Sequence, residues 1–289
     1  MVDAASGTRW AYLNGSFVPF ATASLPLEDR GLEFSESLYE VVAVIRGQPF
    51  RLADHVARMA WGAEQLGMPD AVPSLATWQG IVTELWSREP HPTAILYAQL
   101  TGGTAPREHL PGETPKPNFF AYLRFFSFPS PQMCSQGVAA ITLPDNRWYR
   151  RDIKTTMLLP AVLAKRQARR QQAAEAIFLG QEGFVHEGAS SNVCVVRGGV
   201  VASPPPCERL LEGVTLKVVE ELCQEIGVPF QRRWVTLSDL KNADEVFITS
   251  TTTALMPIVR LDGQPVRGGQ PGPISLRLAY HFQRIFFGE

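Results

Sequence analysis

The stretch RWYRRDIKTTMLL, residues 147–159, places Lys154 between a basic turn and an apolar run. An ammonium group beside other cations and next to apolar surface is disfavoured in its charged form, so we expect the pKa of Lys154 to be lowered. A neutral lysine amine is what imine formation with a carbonyl compound requires. Taken alone, these residues are more simply interpreted as a solvated basic turn, so they indicate a site only if other residues supply a partner.

The composition is that of a folded protein with enough length for two domains. The chain has 289 residues, of which 45% are hydrophobic and 19% are charged, and its net charge is −1. These values exclude a disordered chain and argue against nucleic acid or an anionic membrane as the main partner.

Cysteine spacing and the distribution of apolar residues bear on the compartment. Cys134, Cys194, Cys207 and Cys223 form neither a CxxC pair nor a zinc pattern, so we expect reduced thiols and no metal site. The first residues lack a basic region followed by an apolar run, and no stretch of about eighteen apolar residues occurs. We therefore expect a cytoplasmic protein with neither a secretory signal nor a membrane span.

Residues 1–126 predict an N-terminal α+β domain. Two hairpins are expected in it, because turn residues interrupt strand-like runs at Asn14-Gly15 and at residues 46–49. Apolar periodicity predicts the other elements: helices at residues 54–66 and 75–86, and strands at residues 93–101 and 118–126.

The first of these helices carries apolar residues on one face. They are Val56, Met59, Ala60 and Ala63, and Gly67 follows them as a stop signal. We therefore expect this face to be buried against the rest of the domain.

A stretch rich in Pro, Ser and Gly at residues 127–137 predicts a linker to a C-terminal α+β domain, residues 138–289, which contains Lys154. In that domain we expect a strand at residues 138–143, strand pairs around turns at 181–183, 197–199 and 262–263, and helices at 158–171, 215–226 and 274–287. Because no glycine-rich dinucleotide loop or P-loop is present, the predicted fold class is α+β, with two mixed domains and mainly antiparallel sheets.

A carboxylate followed by small polar residues leads into a strand at residues 187–193. Glu187 could face a heterocyclic nitrogen there, and the small residues Ser190, Ser191 and Asn192 would let a ligand approach closely. An ordinary polar turn explains the same pattern equally well.

Two further segments suit a phosphate group. Gly213, Val214 and Thr215 open a predicted helix, whose free N–H groups bind anions. Ser250, Thr251 and Thr252 lie in a run of five hydroxyl residues at a strand end. A glycine N-cap and the ordinary preference of threonine for strands remain alternatives.

Two arginine–histidine pairs complete the candidates. His55 and Arg58 lie one helical turn apart. Arg107 and His109 lie in a predicted loop, where an arginine can bind a carboxylate bidentately. Solvated surface explains each pair taken alone. Together, however, the candidates supply an amine, a carboxylate, a phosphate site and a carboxylate clamp, which is what a pyridoxal-phosphate enzyme acting on an amino acid requires.

The order of these motifs resembles the fold-type IV pyridoxal-phosphate enzymes, the class IV aminotransferases. This family includes D-amino-acid transaminases, branched-chain transaminases and aminodeoxychorismate lyases. The resemblance runs from about Tyr12 to the last helix, and several separate motifs carry it. They are residues 28–31 with Phe34, residues 39–42, His55 with Arg58, residues 152–154, 187–188, 190–193, 213–215 and 249–252.

The resemblance implies a role for each matching residue. Lys154 would hold pyridoxal 5'-phosphate as an imine and then move a proton, while Glu187 would pair with the protonated pyridine nitrogen. Arg58, the backbone of Val214 and Thr215, and the Thr251 hydroxyl would hold the phosphate, with Leu211 against the ring. The implied cofactor-binding set is Arg58, Glu187, Ser190, Ser191, Asn192, Leu211, Gly213, Val214, Thr215, Ser250, Thr251 and Thr252.

The loop at residues 104–109 resembles that of D-amino-acid transaminases. The resemblance implies that Arg107, His109 and Tyr39 bind the substrate α-carboxylate, which branched-chain transaminases bind differently. It also implies a homodimer whose site, near the domain boundary, is partly completed by the second subunit. The substrates would be an amino acid and a 2-oxo acid such as 2-oxoglutarate or pyruvate.

The chain departs from the family pattern in two places. Residues 35–37 read Ser-Glu-Ser where a Gly-Asp-Gly-like turn is usual, and Gly102 stands where an arginine is common. Both departures lie where substrates enter, so they bear on side-chain range and D-preference. The alternatives are therefore a transaminase for branched-chain L-amino acids or (R)-amines, an aminodeoxychorismate lyase, or a non-catalytic cofactor-binding protein.

Overall fold

The computed structural model of the chain describes residues 9–112 and 115–288. These residues form two units. The first contains the residues up to Ser127 together with Ile153–Met157, and the second contains Phe128–Asp152 and the residues from Leu158 onward. The division at Ser127 lies inside the predicted linker.

An antiparallel sheet of six strands forms the centre of the first unit, in the order β2-β1-β6-β5-β3-β4. Both predicted hairpins are present, with Asn14 and Gly15 at positive φ in the first turn. The elements are β1 (Trp10–Leu13), β2 (Ser16–Pro19), α1 (Arg30–Glu33), β3 (Ser37–Ile45), β4 (Gln48–Pro49), α2 (Leu52–Gln65), α3 (Leu75–Arg88), β5 (Thr93–Thr101) and β6 (Asn118–Phe125), with a 3-10 turn at Phe20–Thr22.

Helices α2 and α3 pack on the sheet of this unit through apolar side chains. Trp78 of α3 is fully buried and lies against the Phe119 ring, with ring centroids 5.4 Å apart. The buried face of α2 differs from the prediction: it comprises Leu52, His55, Met59, Gly62 and Ala63, whereas Val56 and Ala60 are only half-buried. The helix is rotated relative to the prediction because His55 turns inward to a buried carboxylate.

The segment Ile153–Met157 belongs to the first unit, although the sequence division places Lys154 within residues 138–289. Its backbone pairs with the beginning of β3. The Tyr39 amide donates to the Lys154 carbonyl at 3.1 Å, and the Thr156 amide donates to the Ser37 carbonyl at 3.3 Å. These bonds satisfy backbone groups that would otherwise be buried without partners, and they fix the lysine beside Tyr39.

A mixed sheet of nine strands forms the centre of the second unit. Its main path is β12-β11-β10-β13-β14-β7-β8-β9, and β15 pairs with β14. Five of the neighbouring pairs are antiparallel and three are parallel. The predicted α+β class with mainly antiparallel sheets is confirmed.

The three strand pairs predicted around turns are present in this unit, and α6 and α8 agree with the predicted helices to within one residue at each end. Helix α4 lies within the predicted linker and begins at the Ser130 N-cap. The elements are α4 (Pro131–Gln136), β7 (Val138–Pro144), α5 (Leu159–Arg170), β8 (Glu175–Leu179), β9 (Val185–Gly188), β10 (Asn192–Arg197), β11 (Val200–Ser203), α6 (Val214–Glu225), β12 (Phe230–Arg232), α7 (Leu237–Lys241), β13 (Glu245–Ser250), β14 (Ala254–Leu261), β15 (Gln264–Pro265) and α8 (Pro273–Phe287), with a 3-10 turn at Arg267–Gly269. Within the described ranges, no helix is long and apolar enough to cross a membrane.

The N-terminus of α8 is held by a buried carboxylate from β13. Glu245 accepts hydrogen bonds from the Ile274 amide at 3.0 Å and the Ser275 amide at 2.7 Å. A Cβ atom at Gly272 would collide with this carboxyl group, so glycine is required there. The carboxylate satisfies two N–H groups of the first helical turn and lies at the positive end of the helix dipole.

We therefore expect Glu245→Ala to lower the free energy of unfolding by about 1–2 kcal/mol, because two helix N–H groups lose their acceptor. Urea denaturation followed by circular dichroism measures this. Glu225→Ala, at the exposed end of α6, is the matched control and should change stability by less than about 0.5 kcal/mol. Equal effects of the two substitutions would contradict a capping role for Glu245.

Candidate active site

Lys154 lies over the ring of Tyr39 in the first unit. Its Nζ atom is 4.2 Å from the ring centroid. Tyr39 in turn stacks on Tyr97 of the neighbouring strand, with centroids 5.9 Å apart. The Tyr97 hydroxyl donates to Gln99 at 2.7 Å, and burial raises the pKa of Tyr97. The lysine therefore meets an aromatic face that its neighbours hold in place.

The three arginines that precede the lysine are each matched by a carboxylate in the second unit. Arg147 binds Asp145 through Nε at 2.9 Å and Nη2 at 2.8 Å. Arg150 pairs with Asp152 at 3.0 Å, and Arg151 lies 3.5 Å from Asp145. The basic turn before Lys154 is therefore a set of paired arginines, because each of them has a carboxylate partner.

Arg58 and His55 of α2 converge on Glu40, whose side chain is fully buried in β3. Arg58 donates to one carboxylate oxygen through Nε at 2.7 Å and to the other through Nη2 at 2.8 Å. His55 Nδ1 lies 2.7 Å from the second oxygen. Burial alone would raise the pKa of Glu40, but the charges and hydrogen bonds of Arg58 and His55 lower it well below its ordinary value.

The pKa of the histidine in this cluster is lowered as well, but the cause is burial. Burial lowers the pKa of His55, and this effect outweighs the raising effect of Glu40. The cluster is therefore an ion pair between Glu40 and Arg58 with a neutral imidazole beside it at neutral pH. The predicted pair His55–Arg58 is real, and its common partner is a carboxylate.

Glu187 is held from two sides in the second unit. Arg147 Nη1 donates to Oε1 at 2.7 Å, and the Leu211 amide donates to Oε2 at 2.8 Å. Burial raises the pKa of Glu187, against the lowering effect of Arg147 and the Leu211 amide. This carboxylate is thus fixed in position and shielded from water, which suits it to pair with one further cationic group.

Asp145 contacts both Arg147 and His186. It accepts both hydrogen bonds from the Arg147 fork, and one of its oxygens lies 2.8 Å from His186 Nδ1. Burial would raise the pKa of Asp145, but the hydrogen bonds of His186 and Arg147 lower it well below its ordinary value. Arg147 therefore lies between two carboxylates. Asp145 holds the guanidinium in place, and the guanidinium in turn orients Glu187.

Ser190 and Ser191 turn towards a buried carboxylate. Their hydroxyls donate to Glu175 Oε2 at 3.2 and 2.8 Å. Lys165 binds the other oxygen of Glu175 at 2.9 Å. A Cβ atom at Gly188 would collide with the Ser191 hydroxyl. These serines therefore shape the turn after Glu187, and any contact that they make with a cofactor is additional to this role.

The start of α6 is built on close contact between Asn192 and Gly213. The Asn192 side-chain amide donates to the Leu211 carbonyl at 2.7 Å. A Cβ atom at Gly213 would collide with the side-chain oxygen of Asn192. Gly213 is the N-cap and provides no side-chain acceptor to the helix, while Val214 and Thr215 in the first turn are buried. The N–H groups of this turn can therefore bind an anion.

The hydroxyl run at the end of β13 forms a tight turn. The Ser250 hydroxyl accepts from the Thr253 amide at 3.1 Å and lies 2.6 Å from the Thr253 hydroxyl and 3.5 Å from the Thr252 hydroxyl. Thr251, between them, is half-buried. The conformation of this turn is therefore stabilised by hydrogen bonds to Ser250, and Thr251 lies at its tip.

Arg107 and His109 both contact the ring of Phe34 in the first unit. The Arg107 guanidinium carbon is 5.2 Å from the Phe34 ring centroid, and the His109 ring is 5.5 Å from it. Arg107 also pairs with Glu33 at 3.5 Å, with 65% of its side chain exposed. Within residues 9–112 and 115–288, the hydrogen bonds, ion pairs and ring contacts of these two residues do not join them to Tyr39 or Lys154.

The family model for amino-transferase class IV matches residues 37–261 of the chain. This chain belongs to the class IV aminotransferases. It is 37% identical to a D-alanine aminotransferase of Bacillus licheniformis over 96% of each chain, and 36% identical to one of Staphylococcus epidermidis over 94% of this chain and 96% of the other. A branched-chain aminotransferase of Thermoproteus uzoniensis, solved with norvaline, superposes with a TM-score of 0.86 at 25% identity, covering 98% of this chain and 96% of that one. The fold predicted by the resemblance is confirmed.

The cofactor of this aminotransferase is pyridoxal 5'-phosphate. The described residues fit it on three counts: Lys154 offers a primary amine beside an aromatic ring, Glu187 is a buried and fixed carboxylate, and α6 begins at a glycine without a side-chain cap. Each feature matches one part of the cofactor, namely its aldehyde, its ring nitrogen and its phosphate.

Three groups that hold the candidate residues are not predicted from the sequence: Glu40, the pair Asp145 and Arg147, and Glu175. Glu40 and Glu175 share one signal, which is a carboxylate within an apolar strand that must find a cation when buried. Asp145 and Arg147 are only two positions apart, a spacing that places them on the same side of an extended segment.

We expect Gly213→Ala to weaken binding of pyridoxal 5'-phosphate about tenfold or more, which is about 1.4 kcal/mol. The added methyl group displaces Asn192 and with it the N–H groups at the start of α6. Titrating the apoprotein with the cofactor and following absorbance measures the effect. Gly80→Ala in α3 is the control, because a Cβ atom there meets open space. Unchanged affinity in Gly213→Ala would exclude this helix start from the phosphate site.

We also expect Glu40→Gln to lower the free energy of unfolding by about 3–5 kcal/mol at pH 7, because Arg58 is left without its buried counter-charge. The folded-state pKa of Glu40 is lowered, so its contribution is fully present above its ordinary value of 4.5 and is lost as the pH falls further. The gap between the wild type and the variant should therefore shrink below about pH 4.5.

Urea denaturation at pH 7 and at pH 4 measures the effect of Glu40→Gln. Glu84→Gln is the matched control, because Glu84 pairs with Arg88 on the exposed surface of α3, and such pairs contribute little. A stability gap that does not depend on pH would contradict an ionised Glu40.

Proposed function

We propose that this chain is a D-amino-acid transaminase that passes the amino group of a D-amino acid to a 2-oxo acid, such as 2-oxoglutarate or pyruvate, in two half-reactions. The observation that carries the proposal is the loop bearing Arg107 and His109, which together present two carboxylate-binding side chains around Phe34. The similarity to D-alanine aminotransferases over almost the whole chain supports it.

Lys154 is the catalytic residue in this proposal. Its amine holds the cofactor covalently and afterwards moves the proton at the α-carbon of the substrate. Bound pyridoxal phosphate supplies the electron sink that makes this proton acidic. Tyr39 packs against the amine and limits the positions that Nζ can take.

Glu187 would pair with the ring nitrogen of the cofactor and would favour its protonated form. Arg147 and the Leu211 amide already hold both oxygens of Glu187, so the carboxylate needs no rearrangement to make this contact. Leu211 itself would lie against a face of the ring. The amide that orients Glu187 would thus belong to the residue that contacts the ring.

The start of α6 and the Ser250 turn would hold the phosphate. Val214 and Thr215 provide N–H groups at the positive end of the helix, and the Thr251 hydroxyl lies at the tip of its turn. Ser250 and Thr252 keep that turn in shape. We assign Arg58 to the phosphate as well, with Glu40 holding its guanidinium in place.

Arg107, His109 and Tyr39 form the site for the substrate α-carboxylate. With most of its side chain exposed, Arg107 can donate bidentately to a carboxylate that arrives from solvent. We propose that the enzyme is a cytoplasmic homodimer in which the second subunit completes this site. Both substrates use the same carboxylate site in turn, because both are α-carboxylates.

A branched-chain L-amino acid transaminase or (R)-amine transaminase is the second candidate. The similarity in fold to the Thermoproteus uzoniensis branched-chain enzyme favours it, as do the departures at Glu36 and Gly102 near the substrate entrance. An aminodeoxychorismate lyase of the same fold would need the same lysine and cofactor site, so only its reaction distinguishes it.

A screen of half-reactions tests the proposal. Incubation of the holoenzyme with D-alanine and 2-oxoglutarate should yield pyruvate, and D-amino acids should bleach the absorbance of the lysine-bound cofactor faster than their L-enantiomers. Reaction with L-leucine and no D-amino acid would reject the D-specific proposal. Release of pyruvate from aminodeoxychorismate without an oxo acid would identify a lyase.

We expect Lys154→Ala to lose the absorbance of the covalently bound cofactor and at least about 10⁴-fold in turnover, because both covalent attachment and the proton carrier are removed. Lys241→Ala, at the exposed end of α7, is the control and should keep both properties. A Lys154→Ala protein that remains yellow and active would overturn the assignment.

A further inference from the structure

The loop that carries Arg107 and His109 is fastened by a buried arginine from α1. Arg30 donates through Nη1 to the Glu108 carbonyl at 2.7 Å and through Nη2 to the His109 carbonyl at 3.2 Å. Its side chain is only 7% exposed. The guanidinium thus binds two consecutive main-chain carbonyls between the two clamp side chains, and fixes the backbone that presents them.

The same guanidinium has a counter-ion on its other edge. Arg30 Nε donates to Glu36 at 2.5 Å, and the Glu36 carbonyl accepts from the Gly102 amide at 2.8 Å. A Cβ atom at Gly102 would lie 2.8 Å from the carboxyl carbon of Glu36. Because Gly102 is not at positive φ, glycine serves here to leave space for Glu36 rather than to permit a turn.

Phe34 connects this arginine to the clamp side chains. The Arg30 guanidinium carbon lies 4.9 Å from the Phe34 ring centroid, and the Arg107 guanidinium carbon lies 5.2 Å from it. The His109 ring contacts the same ring at 5.5 Å. Arg30 therefore contacts both the backbone of the loop and the ring on which the clamp side chains rest.

We propose that Arg30, with Glu36 as its counter-ion, is a positioning residue for the substrate α-carboxylate site formed by Arg107 and His109. The inference rests on the proposed function. An exposed arginine on an unfastened loop loses conformational freedom each time it binds a carboxylate, which weakens binding. Arg30 removes that loss by ordering the loop beforehand, and it does so without touching the substrate.

Kinetics of Arg30→Met and Arg30→Lys test this role. In Arg30→Met we expect the half-saturating concentration of D-alanine in the half-reaction to rise about 10- to 100-fold, because hydrogen bonds from a charged group to the loop are lost. The rate at saturation should change much less. D-alaninol has the same amine but no carboxylate, so its half-reaction should be unaffected. Arg30→Lys should recover part of the D-alanine affinity.

Limited proteolysis gives a second readout that does not depend on turnover. Trypsin cleaves after Arg107 only when the loop can leave its anchored conformation. We expect cleavage at this bond to be about tenfold faster in Arg30→Met than in the wild type, in line with the same loss of hydrogen bonds. Equal cleavage rates, or equal losses for D-alanine and D-alaninol, would overturn the proposal.

A second pair of variants covers the case in which Arg30→Met does not fold. Gly102→Ala pushes against Glu36, whereas Glu36→Asp shortens the carboxylate and makes room. Gly102→Ala alone should raise the half-saturating concentration of D-alanine, and adding Glu36→Asp should reverse part of the rise. Gly112→Ala, where a Cβ atom meets open space, is the control. Additive effects of the pair would also overturn the proposal.

The proposed function and the role of Arg30 can fail separately. If the wild type reacts with no D-amino acid, the proposed function fails. The cleavage rate after Arg107 then still decides whether Arg30 orders the loop. If the wild type reacts with D-alanine but Arg30→Met retains its affinity, only the role of Arg30 fails.

Discussion

A carboxylate buried in the middle of an apolar strand is the constraint on which the first unit depends. Glu40 cannot remain ionised there without Arg58 and His55, so α2 must lie with these two residues against β3. Successive residues of a strand point to opposite faces, and the preceding residue, Tyr39, is therefore directed away from α2 and towards Tyr97. The ring over which Lys154 lies is thus oriented by the ion pair behind it.

In the second unit, a buried cation lies between two carboxylates. Arg147 is bound bidentately by Asp145, and its remaining donor reaches Glu187. Removing either partner would leave a buried charge uncompensated, so the arrangement holds Glu187 in one position. Glu187 is therefore a fixed and buried carboxylate that can pair with one further cationic group.

Local sequence signals predict most of the helices and strands. They do not predict side-chain pairs between residues that are distant in sequence. Asn14-Gly15 and Gly67 mark ends that depend on backbone conformation alone, and they appear as predicted. The helix at Pro131–Gln136 lies in the predicted linker, although Ser130 followed by proline is a typical helix start. The predicted apolar face of α2 differs from the buried face because a hydrophobic pattern cannot include His55. Burial of His55 depends on a partner fifteen positions away, Glu40. Likewise, the sequence does not predict the pairing of Arg147 with Glu187, because the two residues are forty positions apart.

The two departures from the family pattern, Glu36 and Gly102, are separate in sequence but form one packing arrangement. The carboxyl group of Glu36 occupies the space that a side chain at Gly102 would need, and Arg30 holds it there. The packing of each residue is explained by the other, so neither can be interpreted alone. The pair alters the charge balance beside Arg107 and His109. The guanidinium that an arginine at position 102 would supply is absent, and Arg30 is the cation that holds Glu36. Because Arg30, Glu36 and Gly102 form one packed cluster, a substitution at one of these positions must be interpreted together with the other two.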